Sequence, residues 1–257
     1  MLSFNNDFIG YEPAEHNVLF SGNDDEELYQ TNLKTKPIDW YYRNKHISYI
    51  RNKNGHRCKD IEDIDLNNYI LFIGCSHTEG IGLELQTTYP YLVSEELKCD
   101  YYNLGLGGTG IDVLAYNLIT WFSVVKQKPK LVILQWSNHV RFISQLPNSI
   151  SKNIYYPYGS WSIGSEVDKF LLLGHDIGFF DTRRTMMYNL IKNAINCPII
   201  EIAPLNSKFN DEATLMPDIK NDYARDGLHY GIASNIGFAS IITDTIKDKY
   251  KHELNNN

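Results

Sequence analysis

Two short runs of the chain are apolar without interruption, two more are broken by a single polar residue, and the segments between them carry apolar residues at helical spacing. Tyr69-Ile70-Leu71-Phe72-Ile73 ends at Gly74, the pattern of a strand buried on both faces of a parallel sheet. Tyr101–Leu104, Leu131–Leu134 and Pro198–Ile202 predict three more such strands. Tyr89–Leu97 places its apolar residues on one side of a helix, with Glu95, Glu96 and Lys98 on the other. Ile111–Val125 predicts a helix with a broad apolar face that stops near Pro129. Thr185–Ile195 and Ile232–Tyr250 predict two further helices, and the polar tail His252–Asn257 is expected to fray.

Strands alternating with helices indicate an α/β domain, a flavodoxin-like three-layer α/β/α arrangement around a central parallel sheet. It is expected to occupy residues 69–257. Residues 1–68 are polar, rich in Asn and Tyr and poor in periodic runs, and read as an irregular N-terminal extension packed on that core. Their clearest element is Ile47-Ser48-Tyr49-Ile50-Arg51, which alternates before Asn54-Gly55 and predicts a short strand and turn. A second break in the pattern, about 141–181, is rich in aromatics and glycine, including Tyr155, Tyr156, Trp161 and Phe179. A long irregular insertion here serves either as a lid or binding loop, or as a surface feature packed by its own aromatics.

Composition narrows the functional classes. At 257 residues, 43% hydrophobic and 21% charged, the chain has ordinary globular proportions. A net charge of −7 with no Lys/Arg stripe argues against nucleic acid or an anionic membrane as partner. Asp24-Asp25-Glu26-Glu27 reads as a solvated loop or helix start. Cys58, Cys75, Cys99 and Cys197 are scattered without a C-x-x-C pair, so neither a disulfide framework nor a zinc site is expected. The opening MLSFNNDFIGYEP resembles no signal peptide and no run is long enough to span a bilayer, so a cytoplasmic protein is expected. Oligomeric state leaves no trace in the pattern.

In a parallel sheet, reactive groups gather beyond the carboxyl ends of the strands, and four polar segments stand there. Gly74-Cys75-Ser76-His77 follows the first strand, where glycine permits a sharp turn and Ser76 heads a helix with its N–H toward the crevice. Asn103-Leu104-Gly105-Leu106-Gly107-Gly108 follows the second, a position that disfavours a dinucleotide fingerprint. Gln135-Trp136-Ser137-Asn138 closes the third, where the Asn138 amide can donate to an oxyanion. Asp226-Gly227-Leu228-His229 precedes the last helix, and its spacing lets Asp226 orient His229 as general base toward Ser76.

The order Ser…Asp…His with this tight Asp–His spacing resembles the SGNH (GDSL-like) esterase/lipase family. Ser76 matches its nucleophile, Gly108 its second-block glycine, Asn138 its third block, and Asp226 with His229 its last. Two blocks depart from the family pattern: Cys75 stands where it usually has Asp, and Trp136 and His139 replace the Gly and Asp of its third block. The resemblance implies a carboxylic ester hydrolase with Ser76, Asp226 and His229 as triad, and Ser76, Gly108 and Asn138 as oxyanion hole. It implies no metal or organic cofactor, and a small acyl group on a carbohydrate as substrate. His77, Trp136, Tyr156 and Trp161 are candidate substrate contacts. A sugar O-acyltransferase, or a non-catalytic binding module that keeps the fold, are the alternatives.

Overall fold

In the computed structural model, the run Tyr69–Ile73 is strand β3 at the centre of a parallel sheet. Residues 1–14, 18–145, 154–159, 161, 169–170, 173–174, 177–203, 215 and 221–250 are described here. The chain opens with β1 (Leu2–Asn5) and β2 (Phe8–Tyr11), then α1 (Glu26–Thr35). After β3 come α2 (Ser76–Glu79), α3 (Tyr89–Leu97), β4 (Asp100–Asn103), α4 (Ile111–Val124) and β5 (Leu131–Gln135). Then follow β6 (Phe142–Gln145), β7 (Ile154–Tyr158), α5 (Phe179–Ala194), β8 (Ile199–Ile202) and α6 (Ile232–Lys249).

The central sheet has the order β4-β3-β5-β8, all pairs parallel. Its side chains alternate between two cores, which explains why the inner strands β3 and β5 are apolar at every position but Gln135. Tyr69, Leu71, Ile73, Val132 and Leu134 pack on α4 and α5 through Leu114, Leu118, Trp121 and Ile191. Ile70, Phe72, Ile133 and Ile200 face α3 and α6 through Tyr89, Val93, Phe238 and Ile242. Helices therefore cover both faces, and the architecture is the three-layer α/β/α one that the alternating pattern implied. Burial of these side chains contributes roughly 1.5–3 kcal/mol each, the dominant favourable part of folding. No helix among the described residues is long and apolar enough to cross a membrane.

Two sequence expectations need correction. Residues 47–51 are not a strand, although Ile47 and Tyr49 are buried and Ile50 is exposed as alternation requires. Among the described residues their backbone finds isolated partners, Tyr49 N–H to Val18 O and a reciprocal bridge between Arg51 and Ala14. The insertion is not wholly irregular either. Within it β6 and β7 pair with the N-terminal hairpin as a second, antiparallel sheet of order β2-β1-β7-β6, with Leu2 opposite Tyr155.

Buried charges also tie the extension to the core. Asp24, in the acidic run expected to be solvated, is 1% exposed and pairs with Arg225 at 2.7 Å. Asp25 caps α1 by accepting from Leu28 N–H, and Glu26 and Glu27 fill its first turn, so the rest of the run is a helix start. The fully buried Arg57 guanidinium donates to the carbonyls of Ser48, Gly80 and Leu83.

Candidate active site

Ser76 is the first residue of α2, separated from the carboxyl end of β3 by Gly74 and Cys75. The turn that presents it depends on Gly74: a Cβ there would lie 2.0 Å from Thr78 Oγ1. Thr78 is itself fixed, since its hydroxyl donates to Gln135 Oε1 at 2.7 Å and its carbonyl accepts from Asn103 Nδ2 at 2.8 Å. The three strand ends are thus stitched together directly beneath the serine. Cys75 is buried beside it at the helix N-cap without a side-chain capping bond.

The glycine loop after β4 is held just as firmly. Leu106 N–H donates to Gly74 O, and Gly107 N–H donates to Glu79 Oε2 at 2.6 Å. Gly108 adopts φ +76°, a left-handed conformation in which glycine is strongly favoured. Because Gly107 N–H is committed to Glu79, the next N–H, that of Gly108, is the one available to a ligand. Glu79 is buried, and burial pushes its carboxyl up while Arg51, 3.6 Å away, and the Gly107 N–H oppose the shift. Tyr11, on β2, closes the arrangement by donating its hydroxyl to Gly107 O at 3.1 Å.

On the last loop Asp226 and His229 meet as their spacing predicts. The imidazole Nδ1 hydrogen-bonds Asp226 Oδ2, and Asp226 Oδ1 accepts from the backbone N–H groups of Leu228 and His229. Burial alone would raise the Asp226 carboxyl; the bonds from His229 and the two amides outweigh it and hold the group below its ordinary value. Arg225, paired with Asp24, fixes the loop from behind, and Asp222 anchors its far end by accepting from Ala233 and Ser234 N–H at the start of α6.

These elements converge on one cavity of about 160 Å³, lined by Ser76, Gly107, Gly108 and His229 from the core, Tyr11 from the extension, and Arg141, Pro157 and Trp161 from the insertion. Ser76 and His229 face it together, and no hydrogen bond joins their side chains among the described residues. Catalytic contacts are commonly loose before substrate arrives.

Asn138 lies at the same carboxyl edge of the sheet but outside the cavity lining. Its side chain is exposed, and its Oδ1 accepts from Val140 N–H, an arrangement that leaves the amide N–H₂ uncommitted among the described residues. Of the candidate substrate contacts, Trp161 lines the cavity and three others do not. Trp136 is fully buried in the sheet core, its Nε1–H donating to Glu201, so it cannot touch a substrate. Tyr156 falls on the opposite face of β7 from Pro157, as strand alternation requires. His77 packs its ring 4.4 Å from that of Tyr230 and 5.1 Å from that of His229, flanking the base rather than the cavity.

Tyr11, Glu79, Arg141 and Pro157 were absent from the sequence-derived site. Glu79 had a legible signal: three residues after Ser76, it shares the serine's helical turn. The other three come from segments with no helical or strand periodicity that points at the cavity.

No family model and no curated protein matches the chain. Solved structures similar to it include an acetyl xylan esterase, Est2A, from the rumen bacterium Butyrivibrio proteoclasticus, at 13% identity and TM-score 0.43 over 72% of this chain and 64% of that one. A family two carbohydrate esterase from Clostridium thermocellum, in complex with cellohexaose, is 15% identical with TM-score 0.43 over 72% and 65%. The psychrotrophic esterase EstA from Pseudoalteromonas sp. is 18% identical with TM-score 0.43 over 74% of this chain and all of that one. The likeness is one of fold. The chain spans just under two thirds of the length of the two carbohydrate esterases.

Proposed function

We propose that the chain is a serine hydrolase that removes a small acyl group from a carbohydrate ester. The observation that carries this reading is the shared cavity: Ser76, Gly108 and His229 line it, and Asp226 holds the imidazole by its inner nitrogen. With Nδ1 engaged by the carboxylate, His229 Nε2 is the nitrogen left to take the Ser76 proton. Ser76 Oγ attacks the ester carbonyl, and the N–H groups of Ser76 and Gly108 receive the negative charge that develops on its oxygen. The uncommitted Asn138 amide is the third donor once the substrate is seated. The leaving alcohol takes the proton from His229; water, activated by the same imidazole, then releases the acid and restores Ser76.

The size of the cavity supports a small acyl group. At about 160 Å³ it is well below the several hundred Å³ typical of sites for larger ligands. The half-exposed indole of Trp161 at its wall offers a flat apolar surface for a sugar ring.

The test compares the natural protein with Ser76→Ala and His229→Ala on aryl esters of short and long acids and on an acetylated sugar. Turnover of the short esters, falling by about four orders of magnitude in both variants, is the expected result. Equal rates in all three proteins would sink the proposal; faster transfer to a sugar hydroxyl than to water would reassign the chain as an acyltransferase.

A further inference from the structure

One wall of the cavity carries a cation that no described carboxylate pairs with. Arg141 lines it, and its guanidinium sits 4.8 Å from the centre of the Trp161 ring, which lines the same cavity. No carboxylate lies within ion-pairing distance of Arg141 among the described residues. The acids around it are engaged elsewhere: Asp112 pairs with Arg183 at 2.8 Å, Asp181 faces His139 at 4.0 Å, and Glu79 and Asp226 hold Gly107 and His229. Arg183 fixes the position from the backbone side by donating to Arg141 O at 2.8 Å. No acid is among the described residues that line the cavity. In a chain of net charge −7, Arg141 is the permanent charge among the described residues of that lining, and it is a cation.

A guanidinium laid over an aromatic face keeps its planar fork of donors free at the edge, and that fork matches a carboxylate with two parallel hydrogen bonds. On this basis, and resting on the hydrolase reading above, we propose that the substrate is an acylated acidic sugar. Its carboxylate is bound by Arg141 and its ring is laid on Trp161, so that the ester carbonyl reaches Ser76. Arg141 is then a specificity-determining residue: it chooses a uronic acid over a neutral hexose and takes no part in bond breaking.

The experiment uses a matched pair, an acetylated methyl glucuronide and the corresponding acetylated methyl glucoside. The readout is the ratio of their kcat/KM values within each protein, so that any general damage to a variant cancels. The natural protein is expected to favour the glucuronide by about tenfold or more, an effect reduced by salt. Arg141→Gln should bring the ratio near one through a higher KM for the glucuronide, and Arg141→Lys should retain part of it. A ratio near one in the natural protein, or one untouched by Arg141→Gln, overturns the proposal. Calorimetric binding of unesterified methyl glucuronide and methyl glucoside to Ser76→Ala decides the matter separately from catalysis. Preference for the glucuronide that Arg141→Gln removes upholds the anionic subsite even if no ester is turned over, in which case only the hydrolase reading fails. Equal binding of the two sugars rejects the subsite whatever the catalytic result.

Discussion

At the scale of single residues, the site depends on groups whose ionisation is set by burial and hydrogen bonding together. The Asp226 carboxyl is stabilised as the anion, so replacing it with the isosteric amide changes charge and tautomer while conserving shape. Asp226→Asn should fold and lose about 10³–10⁴ in kcat, measured on a short aryl ester. Asn138→Ala tests the third oxyanion donor, and a loss of about 10²–10³ in kcat is expected. His56 supplies a pH dependence of stability rather than of activity. It is fully buried between the Tyr102 hydroxyl and Ile9 O, and burial lowers its pKa to about 3, against an ordinary value near 6.5. The unfolded chain therefore takes up this proton before the folded one, and stability falls as pH drops from about 6.5 towards 3. Its share is a few kcal/mol at about pH 4. His56→Gln should flatten the fall of Tm with decreasing pH across that window; an unchanged slope would remove His56 from the account.

At the scale of elements, the parallel sheet was legible almost to the residue, because burial on two faces leaves strands few polar positions and covering helices a single apolar side. Tyr69–Ile73 and Tyr89–Leu97 have the boundaries that their patterns indicate, while α5 begins at Phe179, six residues before the periodicity suggested. Ser76 and the Asp226–His229 pair were legible for a different reason: their spacing is local, and local geometry follows from sequence. The second sheet was not. Its hairpin strands are only four residues each, and β1 finds its partner β7 across most of the chain, a pairing that no short-range pattern encodes. Trp136 misled because its place two residues before Asn138 suggested the crevice, whereas its indole turns inward to Glu201. Where elements touch, tolerance is low. Gly74→Ala would drive a methyl group into Thr78 at the junction of β3 and α2, and should cost about 1–3 kcal/mol, read as a lower urea midpoint at constant m.

Across the whole molecule, the extension and insertion act as walls of the cavity and as clamps on its loops. The Asp24–Arg225 pair is almost completely buried and joins the segment before α1 to the residue next to Asp226. Removing one partner leaves a charge stranded in the interior. Arg225→Ala should therefore destabilise the fold by about 3–5 kcal/mol, whereas a surface pair such as Lys247–Glu96 should be worth under about 1 kcal/mol; both are read by urea unfolding.

The pairing of Leu2 with Tyr155 has a kinetic consequence. A chain emerging from denaturant can assemble β3, β4 and β5 around Trp121 and Trp136 by closing loops of moderate length, whereas the wall carrying Tyr11 and Pro157 must wait for a far longer closure. The emission of Trp121 and Trp136 should recover first, and turnover later together with the signal of Trp161, so a partly refolded preparation would regain its core fluorescence while staying silent in the assay.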